Sequence, residues 1–158
     1  MTKNELIELL KDYKENKAKL NIVLKDLKSA RIRLNNIDSD TSVTSVLGIN
    51  QDIHSKNQIS NKVLKKIEQN DKTIRDLEEK IKNLEEEAKD LRTKVDIVED
   101  RLEALKYKEK QILIAYYVEG RTAEDIGNKL YFQLFSQTRS DRHIQRIIDK
   151  ATQKMLNL

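Results

Sequence analysis

Two long stretches of the chain repeat apolar residues at alternating steps of three and four, which is the pattern of helices that pack in coiled coils. Residues 3–37 carry this pattern with one polar break at Asn16. Residues 61–105 keep the same spacing over six heptads, with Asn70 as a polar core position. The sequence therefore predicts two long helices, at 3–37 and 61–105.

Between these helices, residues 38–60 are rich in Ser, Thr and Asp and show no helical period, so we predict a connector there. If the chain folds back at this connector, Asn16 lies near position 82 and not near Asn70. Leu10 and Leu24 widen the apolar face of the first helix beyond a narrow two-helix seam. That width predicts contact with more than one partner helix.

Two pairings satisfy the heptad stripes: an antiparallel hairpin within one chain, or a parallel dimer of the second helix. Residues 1–37 carry 9 basic and 5 acidic side chains, whereas residues 61–105 carry 11 and 13, so their net charges are opposite and favour the hairpin. An Asn in the core is best satisfied by its own symmetry mate, which favours arms that also dimerise. The predicted homodimer contacts are Asn70, Ile74, Leu77, Ile81, Leu84, Leu91 and Val95.

From Lys106 onward the pattern becomes that of a small globular domain, residues 106–158. A helix is predicted over 108–119, ended by Gly120, a residue suited to a left-handed helix exit. Thr122 is the predicted N-cap of a short helix that extends to about Leu130. Ser140 is the predicted N-cap of a last helix over 141–156, whose inward side is Ile144, Ile147, Ile148, Ala151 and Met155.

The last two helices have the pattern of a helix-turn-helix, whose second helix enters the major groove of DNA. Arg142, Gln145 and Arg146 are suitable for contacts with bases, because Arg pairs with guanine and Gln with adenine. The predicted phosphate contacts are Arg139, Lys150 and Lys154, and His143 is a candidate for contact with phosphate or base. An ordinary amphipathic helix with a solvated charged face explains the same pattern equally well.

This part of the chain resembles region 4 of the sigma-70 family of RNA polymerase sigma factors, and the small phage-encoded late-gene transcriptional regulators of the ArpU/RinA type. The matching residues are Leu105, Ile112-Leu113, Tyr116-Tyr117, Glu119-Gly120, Thr122-Ala123-Glu124-Asp125-Ile126-Gly127, Leu130, Ser140, Ile144, Arg146-Ile147, Lys150-Ala151 and Met155. The resemblance covers the last third of the chain. It implies a four-helix DNA-binding unit in which Arg142, Gln145 and Arg146 carry recognition, and nothing upstream resembles the promoter-melting part of a sigma factor.

The sequence departs from this family in the turn between the last two helices. Nine residues, 131–139, separate Leu130 from Ser140 where the family has only a few. The nine include four large apolar side chains, Tyr131, Phe132, Leu134 and Phe135. These residues can lengthen the helix, fill the domain core or contact the coiled coil, and we favour core filling.

Composition supports an all-α fold: the 158 residues include no Pro and three Gly, which leaves too few turn residues for a sheet protein. Residues 1–105 carry 21 basic and 21 acidic side chains, so the net charge of +4 comes entirely from residues 106–158. There is no Cys, no signal-peptide pattern and no phosphate loop, metal-ligand spacing or catalytic triad. We therefore expect a cytoplasmic protein that is neither an enzyme nor dependent on a metal or cofactor.

These patterns lead to one main functional expectation and one alternative. The main expectation is a DNA-binding transcriptional regulator, encoded by a phage or another mobile element, whose coiled coil dimerises or contacts a partner. The alternative is a coiled-coil adaptor or scaffold whose C-terminal domain binds protein, for example RNA polymerase, and does not bind DNA.

Overall fold

The structure, a computed structural model, describes residues 1–44 and 56–158, and the side chains of residues 1–37 and 64–158. The described residues are helical and contain no strand, so the predicted all-α class is confirmed. Two long helices, α1 (Lys3–Thr44) and α2 (Lys56–Glu103), precede a group of shorter helices. His54, one of the two histidines of the chain, lies outside the described residues.

The shorter helices occupy the C-terminal third. Helix α3 (Tyr107–Leu113) continues as a π-helical segment, Ile114–Val118, and ends before Gly120, which has a φ of 70° as a left-handed exit requires. Helix α4 (Ala123–Asp125), a π-helical segment (Ile126–Leu130) and α5 (Tyr131–Phe135) follow one another without a break. Helix α6 (Asp141–Leu156) comes last, with Ser140 as its N-cap, so the predicted last helix is confirmed.

The chain forms two compact units, and the ends of the long helices belong to the same unit as the short helices. This first unit comprises residues Met1–Leu20 and Asp90–Leu158. Its core joins Leu6 and Leu10 of α1 with Val98 and Leu102 of α2. The same cluster contains Leu105, Ile112, Leu113, Ala115, Ile126, Tyr131, Ile144, Ile148, Ala151 and Met155. The predicted boundary at residue 105 therefore does not separate two cores.

The second unit, Asn21–Lys89, contains the rest of the two long helices. Among the side chains that the structure describes in this unit, the buried ones are Val23, Leu27, Ala30 and Ala88. Leu24 is 43% exposed, so the wider apolar face predicted for α1 is confirmed at Leu10 and not at Leu24. An ion pair between Arg31 Nη2 and Glu85 Oε1, at 2.6 Å, joins the two helices in this unit.

The pairing of α1 with α2 is antiparallel, as the hairpin prediction requires, but its predicted register was wrong. Lys17 Nζ lies 2.7 Å from Glu99 Oε1. Arg31, two heptads after Lys17 in α1, pairs with Glu85, which lies two heptads before Glu99 in α2. The residue numbers thus rise along one helix as they fall along the other. The neighbour of Asn16 thus meets Glu99 and not a residue near 82, a shift of about two and a half heptads. This register places Leu6 and Leu10 in the core of the first unit, which stabilises it.

The predicted connector, 38–60, was too long at both ends. The backbone is helical as far as Thr44 and again from Lys56. Ser, Thr and Asp have lower helix propensities than Leu or Lys, but the cost at each position is only about 0.5 kcal/mol. These residues weakened the apolar period in the sequence without ending the helices.

Candidate nucleic-acid interface

Helix α6 packs one face against the core and leaves the other in solvent. Its buried side chains are Ile144, Ile148, Ala151, Thr152 and Met155. Ile147, also predicted to point inward, is half-buried and packs against the core. Thr152 is buried as well, and its hydroxyl donates to the Ile148 carbonyl at 2.8 Å. At the N-terminus, Ser140 Oγ accepts the backbone N–H of His143. The helix is therefore fixed along its length while its outer face is free.

Two polar contacts fix the C-terminal end of α6. Arg101 of α2 donates from Nε to the Met155 carbonyl at 2.9 Å, satisfying an acceptor that the helix end leaves unpaired. Lys154 pairs with Glu109 of α3 and thereby lowers the pKa of that carboxyl. Lys154 was predicted to contact phosphate, but in the folded chain Glu109 neutralises its charge.

The outer face of α6 and the turn before it carry cations that no carboxylate neutralises. These residues are Arg139, Arg142, Arg146 and Lys150, all exposed, and within the described part of the chain none of them makes an ion pair. By contrast, Arg121 and Lys129 both pair with Asp125. Four unpaired cations of the C-terminal third thus lie on α6 and in the turn before it, which is the part that a helix-turn-helix would present to DNA.

Gln145 and His143, the other predicted contacts, lie at the edges of this face. Gln145 is half-buried, and its amide nitrogen is 3.5 Å from Asp149 Oδ1, so it is held beside a carboxylate. His143 is exposed, and its pKa is lowered by partial desolvation and by the charges of Arg139, Lys108 and Arg146. Besides desolvation, the charges that act on His143 are thus those of three cations from α3, α6 and the turn before α6.

The residues predicted to form an enlarged turn, 131–139, mostly extend the preceding helix. Tyr131–Phe135 is helical, and the chain leaves the helix through Ser136, whose φ is 53°. Tyr131 is buried in the core and Phe135 packs against it, so core filling is confirmed for these two side chains. Phe132 and Leu134 are 56% and 37% exposed and do not fill the core.

Gly127 determines how closely the turn approaches the preceding helix. The Arg139 backbone N–H donates to the Gly127 carbonyl at 3.1 Å. A Cβ at position 127 would overlap the Arg139 carbonyl oxygen and lie 3.3 Å from Cγ1 of Ile144. The absence of a side chain therefore lets the backbone before α6 lie directly on the helix that contains Gly127.

Sequence reasoning missed one part of the basic surface, which comes from α3. Lys108 Nζ donates to the Tyr131 hydroxyl and lies 4.4 Å from the centre of its ring and 5.4 Å from that of Phe135. The Arg139 guanidinium lies 5.7 Å from the Tyr131 ring centre. Lys108 is 23 residues before Tyr131, so no local pattern indicated that these side chains meet.

The predicted dimer contacts divide into two groups. Leu91 and Val95 are buried within the single chain, so a second copy cannot reach them while the first unit is folded. The other predicted contacts, Asn70, Ile74, Leu77, Ile81 and Leu84, are half-buried. Among these candidates, only the group in Asn21–Lys89 keeps apolar surface to offer a partner.

Comparisons with protein-family models, with curated proteins and with solved structures returned no match. Among residues 1–44 and 56–158, no helix combines the length and apolarity needed to span a bilayer. Within these ranges, no three His, Cys, Asp or Glu side chains come together as a metal site would require. The features of this chain that bear on its function are therefore the helix packing and the exposed cations of the first unit.

Proposed function

We propose that this chain is a sequence-specific DNA-binding transcriptional regulator, of the kind encoded by phages and other mobile elements, and not an enzyme. The observation that supports this function best is the outer face of α6, where Arg142, Arg146 and Lys150 are exposed and no described carboxylate pairs with them. The opposite face of the same helix is packed against the core. Arg side chains on such a helix can donate two hydrogen bonds to guanine in the major groove. Phosphate contacts by neighbouring cations would fix the register on the duplex.

Replacing Arg142 or Arg146 with Ala is expected to weaken binding to the selected DNA site by about 1–3 kcal/mol each, because a base contact is lost. The site is first obtained by enriching bound fragments from random DNA with the intact protein. Fluorescence anisotropy then compares the variants on that site and on a scrambled duplex. Discrimination between the two duplexes should fall with each Arg variant.

Lys82→Ala serves as the matched control, because Lys82 is an exposed cation on α2 in the second unit. It removes the same charge as either Arg variant and should leave discrimination unchanged. If the intact protein selects no sequence at low salt, the proposal is wrong. Equal losses of affinity for Lys82→Ala and Arg146→Ala would show that DNA binding is non-specific charge attraction.

We infer that the protein acts as a homodimer through the second unit. Its net charge of +4 is small for a DNA-binding protein, and two linked DNA-binding domains bind DNA more tightly than one. The half-buried Ile74, Leu77, Ile81 and Leu84 supply the contact. Sedimentation equilibrium of the full chain should give a dimer at micromolar concentration. Ile74→Lys with Leu77→Lys should give a monomer with unchanged helicity, and a wild-type monomer would contradict the inference.

A protein-binding adaptor is the second candidate function, favoured by the exposure of Phe132 and Leu134 next to the basic face. Large apolar side chains in solvent are typical of protein contacts when they cluster. RNA polymerase is the partner implied by the resemblance to sigma region 4. Binding to polymerase that is independent of salt, together with negligible affinity for any DNA, would favour this candidate over DNA recognition.

A further inference from the structure

The side chains around Tyr131 bring together two cations from distant parts of the chain. Lys108 comes from the first turn of α3, and Arg139 comes from the turn before α6. Their charged groups lie 4.4 and 5.7 Å from the centre of the same ring. They are therefore no more than about 10 Å apart, an upper limit comparable to the screening length of about 8–10 Å at 0.10–0.15 M salt.

Neither cation has a carboxylate partner in the described part of the chain. Lys108 donates to the Tyr131 hydroxyl, and Arg139 donates to Gln137 Oε1 at 2.8 Å, and both of these acceptors are neutral. Burial would raise the pKa of Tyr131, but the hydrogen bond from Lys108 and the proximity of Arg139 outweigh it and lower that pKa. Because both acceptors are neutral, no described carboxylate compensates the two charges, and an anion that contacts both would reduce their mutual repulsion.

The surroundings make this pair different from an ordinary set of surface lysines. The Lys108 side chain is half-buried against the Tyr131 and Phe135 rings, so it is held in place. Tyr131 itself is buried in the core and acts as a positioning residue for both cations. Holding cations before a ligand arrives lowers the entropy cost of binding it.

We propose that Lys108 and Arg139, positioned by Tyr131, bind one phosphate oxyanion, and that its source is a phosphodiester of the DNA backbone beside α6. This inference rests on the proposed function and extends it, because it adds a contact from α3, outside the two helices of the motif. A phosphate contact at this point fixes the angle at which α6 meets the groove without depending on base sequence.

The first test is the salt dependence of DNA binding by the full chain. Lys108→Met removes the charge but keeps a flexible apolar stem against the rings. It should lower affinity equally for selected and scrambled duplexes and reduce the slope of log K against log salt by about 1, whereas Lys108→Arg should keep the slope. Circular dichroism checks that both variants fold like the wild type.

The second test uses inorganic phosphate and needs no DNA. His143 reports on this site because, in addition to desolvation, the charges of Arg139, Lys108 and Arg146 lower its pKa. At constant ionic strength, phosphate should raise the His143 pKa saturably in NMR titrations of the wild type. The rise should be absent in the Lys108→Met, Arg139→Met double variant, and Lys82→Met should behave as the wild type does.

The two tests separate this inference from the proposed function. If the wild type binds DNA and Lys108→Met leaves the salt slope unchanged, the phosphodiester contact is overturned while the DNA-binding function stands. If the wild type binds no DNA but phosphate raises the His143 pKa through Lys108 and Arg139, the function is wrong and the source is free phosphate. If neither DNA nor phosphate has an effect, both are overturned.

Discussion

Replacing Leu6 with Ala is expected to destabilise the C-terminal helices, although the two lie at opposite ends of the sequence. Leu6 is fully buried in the cluster that contains Ile144, Ile148 and Met155 of α6. A Leu-to-Ala change in such a core costs about 2–5 kcal/mol, from lost burial and from the cavity left behind. Chemical denaturation should give the loss of stability, and hydrogen exchange should show reduced protection of the α6 amides.

Leu24→Ala is the matched control, since it removes the same atoms from the same helix at a site that is 43% exposed. It should change stability by no more than about 0.5 kcal/mol. Unchanged protection of α6 in Leu6→Ala would show that α1 is not part of this core.

A further expectation is that residues 106–158 do not fold alone, because they lack Leu6, Leu10, Val98 and Leu102. Cooperative melting of that fragment would contradict the single core.

Gly127→Ala is expected to disturb the approach of α6 to the preceding helix and with it the DNA-binding surface. The added Cβ meets the Arg139 carbonyl, which is backbone and cannot rotate aside as a side chain can. Overpacking of this kind costs about 1–3 kcal/mol, and occasionally more. The shift should also break the Arg139 N–H to Gly127 carbonyl hydrogen bond. The midpoint temperature of thermal unfolding should decrease in this variant, and so should its affinity for DNA.

Gly120→Asn provides the comparison for that variant. Gly120 has a φ of 70° and no atom within 4 Å of an added Cβ, so only its backbone conformation restricts it. Asn adopts the left-handed conformation at little cost, and the variant should retain stability and DNA binding. If Gly127→Ala also retained both, close contact between the turn and the helix would not be what positions α6.

The sequence was most informative where structure depends on local pattern. The heptad spacing was enough to predict both long helices, and the cap signals at Thr122 and Ser140 placed the starts of α4 and α6. The apolar side of α6 followed from its period: Ile147 packs against the core at its edge, and the buried Thr152 was not predicted. The exposed cations on its other side followed from the same period, because a helix that buries one face must expose the opposite one.

The sequence was least informative where residues meet across long separations. The heptad repeat is compatible with several registers, and the choice that pairs Lys17 with Glu99 depends on packing of Leu6 and Leu10 in the first unit. Neutralisation of Lys154 by Glu109, and the meeting of Lys108 with Arg139 at Tyr131, also depend on contacts between helices. No local signal marked these pairs.

The sequence by itself therefore determined the helical class, the positions of most helices and the basic outer face of α6, because periodicity and capping are properties of neighbouring residues. Only the tertiary structure decided that the N-terminal residues Met1–Leu20 share a unit with the C-terminal helices. It also decided which cations remain unneutralised. The reason is physical: burial and ion pairing depend on which surfaces meet in space, and an approximately periodic helix surface permits several such meetings until the whole core selects one.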